Sequence, residues 1–464
     1  MFGYDWISYE IFIIILTQYK NFYYHKHNMT IKNLSTNPPE SISEPITKNI
    51  SEPTTDFDTS IVQINGPINM IRLEGKIDGI YKVIYLIMMI DNNYIYTGQH
   101  QCPNVYSTDV DLFLAENFLR TNESSNKYDF FMNVPVSDIQ YIPDNNVKNF
   151  YLLETTKFFT KLFVHDIEKN KVGEQKYYKN LRLHHFEIQD YIAFHFDAIF
   201  SNIERETFGM WPNIYLGHIR YVIDTMISTF DMMNYINSIL SNPNVKPREN
   251  KSSLLLRKDY KIEPEIITEL IYKIKKKYNH PQVMKVINTL YEEFLKSFND
   301  VINLVNNSIK KFIDYEKMIN NSDKLLNLGE NNNYMGYGLD LGKMRRIASG
   351  IRDTLQNIRN DIKTTFSHLT DIYLLRRFLD KDYVTNAIVC NDAMTSIVTI
   401  KNLLHKFDFK ITHAAYSSIN NMNNLTTEIK TRFKKNSNSS IDDLFFPSTF
   451  TQCSDVTHFP KVFS

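Results

Sequence analysis

The sequence predicts an α/β fold in which a mostly parallel sheet is flanked by helices and carries a long inserted α-helical hairpin. Two short apolar runs, at residues 82–90 and 384–390, are rich in Ile and Val and end at Asp or Asn. Such runs are typical of strands that are buried on both faces. Between residues 281 and 376, apolar side chains recur every three or four positions, which is the spacing of amphipathic α-helices.

The composition indicates a largely folded chain and does not favour nucleic acid as a partner. Of 464 residues, 43% are hydrophobic and 13% are aromatic, which is enough to bury a large core. Basic and acidic side chains number 52 each, whereas nucleic-acid-binding proteins usually carry a basic excess. The cysteines, Cys102, Cys390 and Cys453, lack the close spacing of a disulfide framework or a zinc site. We therefore expect a reducing compartment.

The first sixty residues are predicted to lie outside the folded core. Residues 1–27 contain an apolar run that is too short to span a bilayer, and they lack the features of a signal peptide. The alternatives for this segment are a helix that packs on the domain, a poorly ordered end, and membrane contact through residues 6–19. Residues 28–60 are rich in Ser, Thr, Pro and Asn, so we expect a disordered linker.

Residues 61–240 are predicted to form the first part of the α/β core. A β-α-β unit is expected here, and its right-handed crossover would make the two flanking strands parallel. Hydrophobic patterning and turn residues give the order of elements. They are a strand at 70–77, a turn at Asp78-Gly79, the strand at 82–90, a helix from Ser107 or Thr108 to Leu119, and a strand at 128–134.

The C-terminal half is predicted to contain the hairpin and the end of the core. Residues 264–380 form the helical hairpin insertion, in which two long amphipathic helices are separated by a break rich in Asn and Gly. Residues 381–415 form the closing part of the core, because they contain the strand at 384–390, a helix and the start of a further strand. Residues 416–464 are polar, and we expect them to be loosely ordered.

Two predicted strands end in acidic residues, Asp91 and Asp392. If these strands are neighbours, both carboxylates face one crevice, where they can bind a divalent metal or act as general acid and base. The alternative is structural, since Asp often ends strands and caps helices. No glycine-rich phosphate loop, Gly-x-Ser-x-Gly elbow or His-Glu-x-x-His motif is present in the sequence.

Histidines provide further candidates for the same site. His184 and His185 are adjacent, so their side chains point in different directions and one metal cannot take both. His184 is a candidate catalytic residue together with Asp91 and Asp392, and His100 is a candidate metal ligand beside the same acids. The alternative is that each histidine is simply packed in the core or exposed at the surface.

A series of segments carries a resemblance to a known family. In order, they are the strand that ends at Asp91, the nearby Cys102, a helix, Tyr128-Asp-Phe-Phe131, Arg182-Leu-His-His-Phe-Glu-Ile188, Asp371-Ile-Tyr-Leu-Leu-Arg-Arg377, and a strand followed by Asn391-Asp392-Ala393. This order resembles an uncharacterised family from giant DNA viruses of the mimivirus type. That family pattern in turn looks like the TraB and erythromycin-esterase-like hydrolases, which place His and acidic residues at strand ends.

The chain departs from the family pattern where catalysis would need specific groups. In the family, the first strand typically ends in Gly-Asp-x-His, the late strand typically ends in Gly-Asp-Ala-His, and Glu typically follows Tyr-Asp-Phe-Phe. Here Asn92-Asn93 follow Asp91, Met394 stands at the position of the late His, and Asn133 stands at the position of the Glu. A thioether cannot transfer protons, and an amide cannot replace a carboxylate as a base.

The resemblance therefore implies a catalytically degenerate viral α/β scaffold or interaction protein with a protein partner, placed in the host cytoplasm or the virus particle. Two other functions stay open at this point. One is a metal-dependent hydrolase of unknown substrate that uses the strand-end Asp and His residues. The other is a peripheral membrane-associated protein.

Overall fold

A seven-stranded sheet lies at the centre of the protein. The computed structural model describes residues 62–89, 102–104, 106–133, 155, 158–159, 173–174, 178–186, 193–208, 216–242, 264–326, 341–436, 439–447 and 451–463. The described strands of both sheets of the protein are β1 (Gln63–Asn65), β2 (Asn69–Ile77), β3 (Ile80–Met89), β4 (Thr108–Asp109), β5 (Tyr128–Met132), β6 (Gly173–Glu174), β7 (Leu181–His185), β8 (Asn386–Asp392), β9 (Lys410–Ala414) and β10 (Cys453–Asp455). The segments predicted at 1–27 and 28–60, including residues 6–19, lie outside the described residues.

The large sheet is mixed, with spatial order β6-β7-β5-β8-β3-β2-β9. The four central strands β7, β5, β8 and β3 run parallel to one another. The three outer pairings, β6 with β7, β2 with β3 and β2 with β9, are antiparallel. The fold class is therefore mixed α/β, and the prediction of a mostly parallel sheet holds only for its centre. A smaller sheet has the order β10-β1-β4.

Helices cover both faces of the large sheet. They are α1 (Val110–Thr121), α2 (Ala193–Phe208), α3 (Leu216–Ser241), α4 (Pro264–Lys275), α5 (Pro281–Leu326), α6 (Leu341–Leu379), α7 (Ala393–Lys406), α8 (Met422–Lys435) and α9 (Asp442–Phe445), with a short 3₁₀ turn at Lys461–Phe463. Among the described residues, no helix combines the length and apolarity that crossing a membrane requires.

Strand β3 is buried on both faces, which explains its nearly continuous apolar sequence. Ile84, Leu86 and Met88 belong to the larger core, which also contains residues of helices α2 to α8. Tyr85 and Ile87 alternate with them and belong to a second core, which also contains residues of α1 and of the C-terminal segment. The sheet thus separates two apolar layers, and β3 contributes to both.

Helices α5 and α6 form an antiparallel pair. Phe294 and Phe298, near the start of α5, pack against Phe366 in the second half of α6, with ring centroids 5.8 and 5.3 Å apart. Further along α5, Nζ of Lys311 donates to the hydroxyl of Thr354, which lies earlier in α6 than Phe366. Residues later in α5 therefore contact residues earlier in α6, as expected for antiparallel helices. At 46 residues, α5 is about 69 Å long at 1.5 Å per residue.

The C-terminal residues 416–464 are more ordered than their polar composition predicted. They contain α8, α9 and β10, and β10 pairs antiparallel with β1. Phe459 and Phe463 then place their rings 6.4 and 5.0 Å from the ring of Tyr85. The apolar residues at the end of this segment, Val456, Phe459 and Phe463, therefore cover the second face of the sheet, whereas those of α8 and α9 belong to the larger core. Neither arrangement was predicted from the sequence.

A disulfide joins Cys102 to Cys453 across 351 residues of sequence. No disulfide was expected from the sequence, because the cysteines lack the close spacing of a framework. That expectation was wrong because the pairing depends on the small sheet, which brings distant parts of the chain together. Strand β1 lies between β4 and β10, and the backbone N–H of Cys102 donates to Asn65 at the end of β1. Cys390 is buried and remains a free thiol.

Candidate functional site

The parallel strands β5 and β8 define the place where a site is expected. From β5 the chain continues to β6 and β7 on one side of the sheet, whereas from β8 it continues through α7 to β9 on the other side. The gap between the carboxyl ends of β5 and β8 is therefore the topological switch point of the sheet. Ligands of open α/β sheets bind in the crevice outside such a point.

Two asparagines meet at this switch point. Asn133 directly follows β5, and Asn391 is the penultimate residue of β8. The amide nitrogen Nδ2 of Asn133 donates to Oδ1 of Asn391 at 2.5 Å, and the backbone N–H of Asp392 donates to the same oxygen at 2.8 Å. Asn133 is 7% exposed and Asn391 is 0% exposed. We refer to Asn133 and Asn391 as the amide pair.

The amide pair leaves two buried polar atoms without a hydrogen-bond partner in the described structure. They are Oδ1 of Asn133, an acceptor, and Nδ2 of Asn391, a donor. The orientation of Asn391 is fixed, because its Oδ1 accepts the backbone N–H of Asp392. A buried group left unpaired costs about 1–3 kcal/mol, so such groups in native proteins usually have a function or an ordered water. From the sequence, Asn133 was recognised as a substitution at the position of the expected Glu, but its pairing with Asn391 was not predicted.

Asp392, a predicted catalytic and metal-binding residue, caps helix α7. Its Oδ1 accepts the backbone N–H groups of Met394 and Thr395 at 2.8 and 3.3 Å. This is the usual role of an Asp at a helix N-cap, where the first backbone donors lack intrahelical partners. Met394 follows with 54% of its surface exposed. The structural alternative offered for Asp392 is therefore present, and its catalytic role stays a prediction.

The other strand-end candidates, Asp91 and His100, lie outside the described residues. The structure therefore places only Asp392 from the predicted metal-binding set. Within the part of the chain that the structure describes, no group of three His, Cys, Asp or Glu residues is arranged to hold a metal ion. Cys102, which the sequence places near His100, is part of the disulfide.

His184, the remaining candidate, belongs to a buried ion cluster around Asp129. Asp129 accepts hydrogen bonds from Arg182, through Nε at 2.8 Å and Nη2 at 2.5 Å. Its Oδ1 is also 2.6 Å from Nε2 of His184. Nδ1 of His184 lies 3.2 Å from Nη2 of Arg377. An arginine only donates, so Nδ1 is the acceptor and the proton of the neutral imidazole is on Nε2, which donates to Asp129.

The surroundings of His184 keep its imidazole neutral. Burial is the main cause that lowers the pKa of His184, and the nearby guanidinium groups of Arg377 and Arg182 act in the same direction, while Asp129 opposes them. The ring also stacks on Phe131, with centroids 4.4 Å apart. Both ring nitrogens are thus engaged within the protein, which favours the interpretation of a packed histidine.

His184 and Asp392 do not converge. His184 pairs with Phe131, and Phe131 pairs with Val389 in β8. Asp392 lies three residues beyond Val389, which corresponds to about 10 Å along a strand. The two members of the predicted catalytic set that the structure describes are therefore separated along the sheet. A signal for the ion cluster was present in the sequence, since Asp129 interrupts an otherwise apolar strand, but its partner Arg182 is 53 residues away.

A second ionic cluster, also missed from the sequence, lies where α5 begins. His280 is buried, and its Nδ1 and Nε2 lie 2.6 Å from Asp78 and 2.7 Å from Asp382. Each ring nitrogen of His280 thus contacts one carboxylate. The aspartates come from the β2–β3 turn and the connection between α6 and β8, so His280 ties three elements together at the opposite end of the sheet from the amide pair.

Fold and site define a mixed α/β protein whose switch point holds a buried pair of amides. The chain belongs to a protein family of unknown function, DUF5847, whose sequence profile matches residues 62–464. Similar proteins come from Acanthamoeba polyphaga mimivirus. "Uncharacterized protein R706" is 35% identical over 421 residues, covering 88% of this chain and 98% of its own length.

Two further relatives from the same virus match over a similar length. "Uncharacterized protein R160" is 31% identical over 442 residues, covering 88% of this chain and 98% of its own. "Uncharacterized protein R161" is 29% identical over 444 residues, covering 88% of this chain and 100% of its own. No solved structure matches the chain. The resemblance to a mimivirus-type family is therefore confirmed, and the family is viral with no established activity.

Proposed function

We propose that this viral protein is a catalytically degenerate α/β scaffold, which binds a partner or ligand without chemical turnover. The observation that carries the proposal is the position of the Asp392 carboxylate. Asp392 ends a central parallel strand, where an active-site acid would be expected, but its Oδ1 accepts two backbone N–H groups of α7. The acid thus has a structural role that explains its presence without catalysis.

The surroundings of His184 support the same proposal. A general base needs a ring nitrogen that can accept a proton from the substrate. In His184, Nε2 donates to Asp129 and Nδ1 faces the guanidinium of Arg377. Protonation of Nδ1 would place two positive charges side by side in a buried cluster. His184 therefore serves better to hold β7 against β5 and α6 than to transfer protons.

The proposal includes the resemblance to TraB and erythromycin-esterase-like hydrolases. By that resemblance, the switch point of the sheet descends from a catalytic site. Asn133 stands at the position of the expected Glu, and Met394 at that of the expected His. Both replacements remove proton-transfer groups from the switch point. The host cytoplasm or the virus particle remains the proposed location. The disulfide between Cys102 and Cys453 is typical of oxidising environments and does not support the reducing compartment expected from the cysteine spacing.

Metal content and turnover of the full-length chain test the proposal. We expect far less than one equivalent of zinc, manganese or iron by mass spectrometry, and no turnover of ester, peptide or phosphoester substrates. Asp392→Asn is the informative variant, because Asn retains a side-chain acceptor for the helix cap and removes the carboxylate. Stoichiometric metal would contradict the proposal. So would turnover that Asp392→Asn abolishes without loss of the folded state.

A further inference from the structure

We infer that the amide pair at the switch point recognises a small neutral ligand that presents an amide edge, with an N–H donor beside a C=O acceptor. This inference deepens the proposed function and rests on it, because it names the class of ligand that the scaffold binds. The ligand N–H would donate to Oδ1 of Asn133, and the ligand C=O would accept from Nδ2 of Asn391. Those two atoms have no partner within the described residues.

The existing hydrogen bonds of the amide pair determine which of its polar atoms remain to bind a ligand. Nδ2 of Asn133 is directed to Oδ1 of Asn391, and that oxygen also accepts the backbone N–H of Asp392. Neither amide can therefore turn over without breaking an existing hydrogen bond. The pair presents one acceptor and one donor in a fixed order, and an amide edge is the simplest chemical group that complements both.

The strands hold the pair rigidly. The backbone N–H of Asn133 donates to the backbone oxygen of Cys390 at 3.1 Å, which continues the β5–β8 pairing by one residue beyond β5. Asn391 lies within β8 and pairs with Met88 of β3. Sites on strands are positioned more precisely than sites on loops, so the donor and acceptor are set before a ligand arrives.

The local charge favours a neutral ligand over an anion. The N-terminus of α7 would ordinarily attract an anion. Here Asp392 already accepts two of its backbone N–H groups and contributes a negative charge next to Asn391. An incoming carboxylate or phosphate would meet that charge. An amide meets no such repulsion and can form hydrogen bonds with both Oδ1 of Asn133 and Nδ2 of Asn391.

The amide edge has two sources, which the test distinguishes. A primary carboxamide presents the edge on an open chain, and acetamide is its smallest probe. A ring lactam presents it on a planar heterocycle, and uracil is the corresponding probe. N,N-dimethylacetamide keeps the carbonyl but has no N–H, so it controls for the donor in either case.

Dissociation constants of the full-length chain for the three probes, measured by ligand-observed NMR titration, test the inference. We expect acetamide or uracil to saturate, and N,N-dimethylacetamide to bind at least tenfold more weakly. Asn391→Asp removes the Nδ2 donor but keeps the oxygen that accepts from Asn133 and Asp392, so it should weaken binding at least tenfold. Asn386→Asp is the matched control, because it makes the same change at the other end of β8, and it should leave binding unchanged.

The outcomes separate this inference from the proposed function. Saturation by acetamide alone assigns a carboxamide ligand, and saturation by uracil alone assigns a ring lactam. If neither probe saturates, or if Asn391→Asp binds as well as the wild type, the inference is wrong, and a high-resolution crystal structure should then show only a water bridging the pair. Release of ammonia from acetamide would instead overturn the proposed absence of catalysis.

Discussion

The ammonium nitrogen of Lys82 lies 2.7 Å from the backbone oxygen of Val384. It also donates to the backbone oxygens of Phe378 and Lys381, at 3.0 and 2.9 Å. Phe378 is in the last turn of α6, where carbonyl groups lack intrahelical partners. A single side chain of β3 thus satisfies the end of α6 and the connection to β8. Burial lowers the pKa of Lys82 to about 8, so the group is still protonated at neutral pH and has three donors.

Lys82→Met should destabilise the protein by about 3 kcal/mol, because the buried carbonyl groups of Phe378 and Val384 lose their side-chain donor. The part-buried carbonyl of Lys381 keeps the backbone N–H of Val384 as a donor, and the methionine retains most of the side-chain volume. Urea unfolding at pH 7 gives the measurement. Lys76→Met is the matched control, since Lys76 is exposed on the neighbouring strand β2, and it should change stability by less than about 0.5 kcal/mol. Equal effects of the two substitutions would show that Lys82 does not cap α6.

Asp371, in contrast to Lys82, is a buried acid whose hydrogen bonds within the described residues come from neutral side chains. Its carboxylate accepts hydrogen bonds from Thr399 and from Nδ2 of Asn402, the latter at 2.7 Å. Burial raises the pKa of Asp371 to about 6, and these two hydrogen bonds oppose the shift only in part. Asp371 belongs to the buried second half of α6, which packs against α7.

Because the folded-state pKa of Asp371 lies above its unfolded value, the folded protein binds more protons between pH 4 and 6. The contribution of Asp371 to stability is fully present below about pH 4 and is lost as pH rises through about 6, by up to about 3 kcal/mol. Asp371→Asn should remove this dependence and should be more stable than wild type at pH 7 to 8. The new amide can donate to the hydroxyl of Thr399, which can turn towards the backbone oxygen of Thr395.

Urea unfolding of the wild type and Asp371→Asn at intervals from pH 4 to 8 gives the measurement. Asp361→Asn changes an exposed acid on the same helix, so its difference from wild type should stay nearly constant across that range. A difference between wild type and Asp371→Asn that does not grow with pH would contradict the assignment of the buried titration to Asp371.

The parts of the fold that sequence could predict are those governed by local patterning. Strands β3, β5 and β8 and helices α5 and α6 follow from apolar periodicity and turn residues. The hairpin of β2 and β3 was also predictable, from the turn at Asp78-Gly79. The pairing of β2 with β9 and the ordered C-terminal segment depend on distant residues, such as Arg72 with His413 and Asn65 with Cys453. Local composition carries little information about such contacts, which explains why residues 416–464 were expected to be loosely ordered.

The candidate site was predictable in position and less so in chemistry. The end of β8 was located from its sequence, and helix capping was one of the two roles weighed for Asp392. The amide pair was not predicted because it depends on the adjacency of β5 and β8, which brings together Asn133 and Asn391, 258 positions apart. The ion cluster of Asp129 and His184 was not predicted for the same reason, since the register of neighbouring strands determines which charged side chains lie side by side.

The disulfide between Cys102 and Cys453 should stabilise the protein by about 2–5 kcal/mol, because it closes a very long loop in the unfolded chain. Dithiothreitol should therefore lower the urea midpoint of the wild type. The double variant Cys102→Ser/Cys453→Ser should resemble the reduced wild type and should be insensitive to the reductant. Cys390, the buried free thiol, remains in both proteins as an internal control. A wild-type midpoint unaffected by reductant, with complete reduction verified by mass spectrometry, would contradict this expectation.

The helix cap formed by Asp392 distinguishes a structural acid from a catalytic one. Asp392→Ala removes the acceptor for the backbone N–H groups of Met394 and Thr395 and should destabilise the protein by about 1 kcal/mol. Asp392→Asn keeps an acceptor, so it should cost only a few tenths of that amount. Urea unfolding gives both values, and hydrogen exchange at the first turn of α7 should be faster in the alanine variant alone. If both substitutions leave stability and exchange unchanged, the carboxylate does not hold the helix, and the proposed structural role of Asp392 is lost.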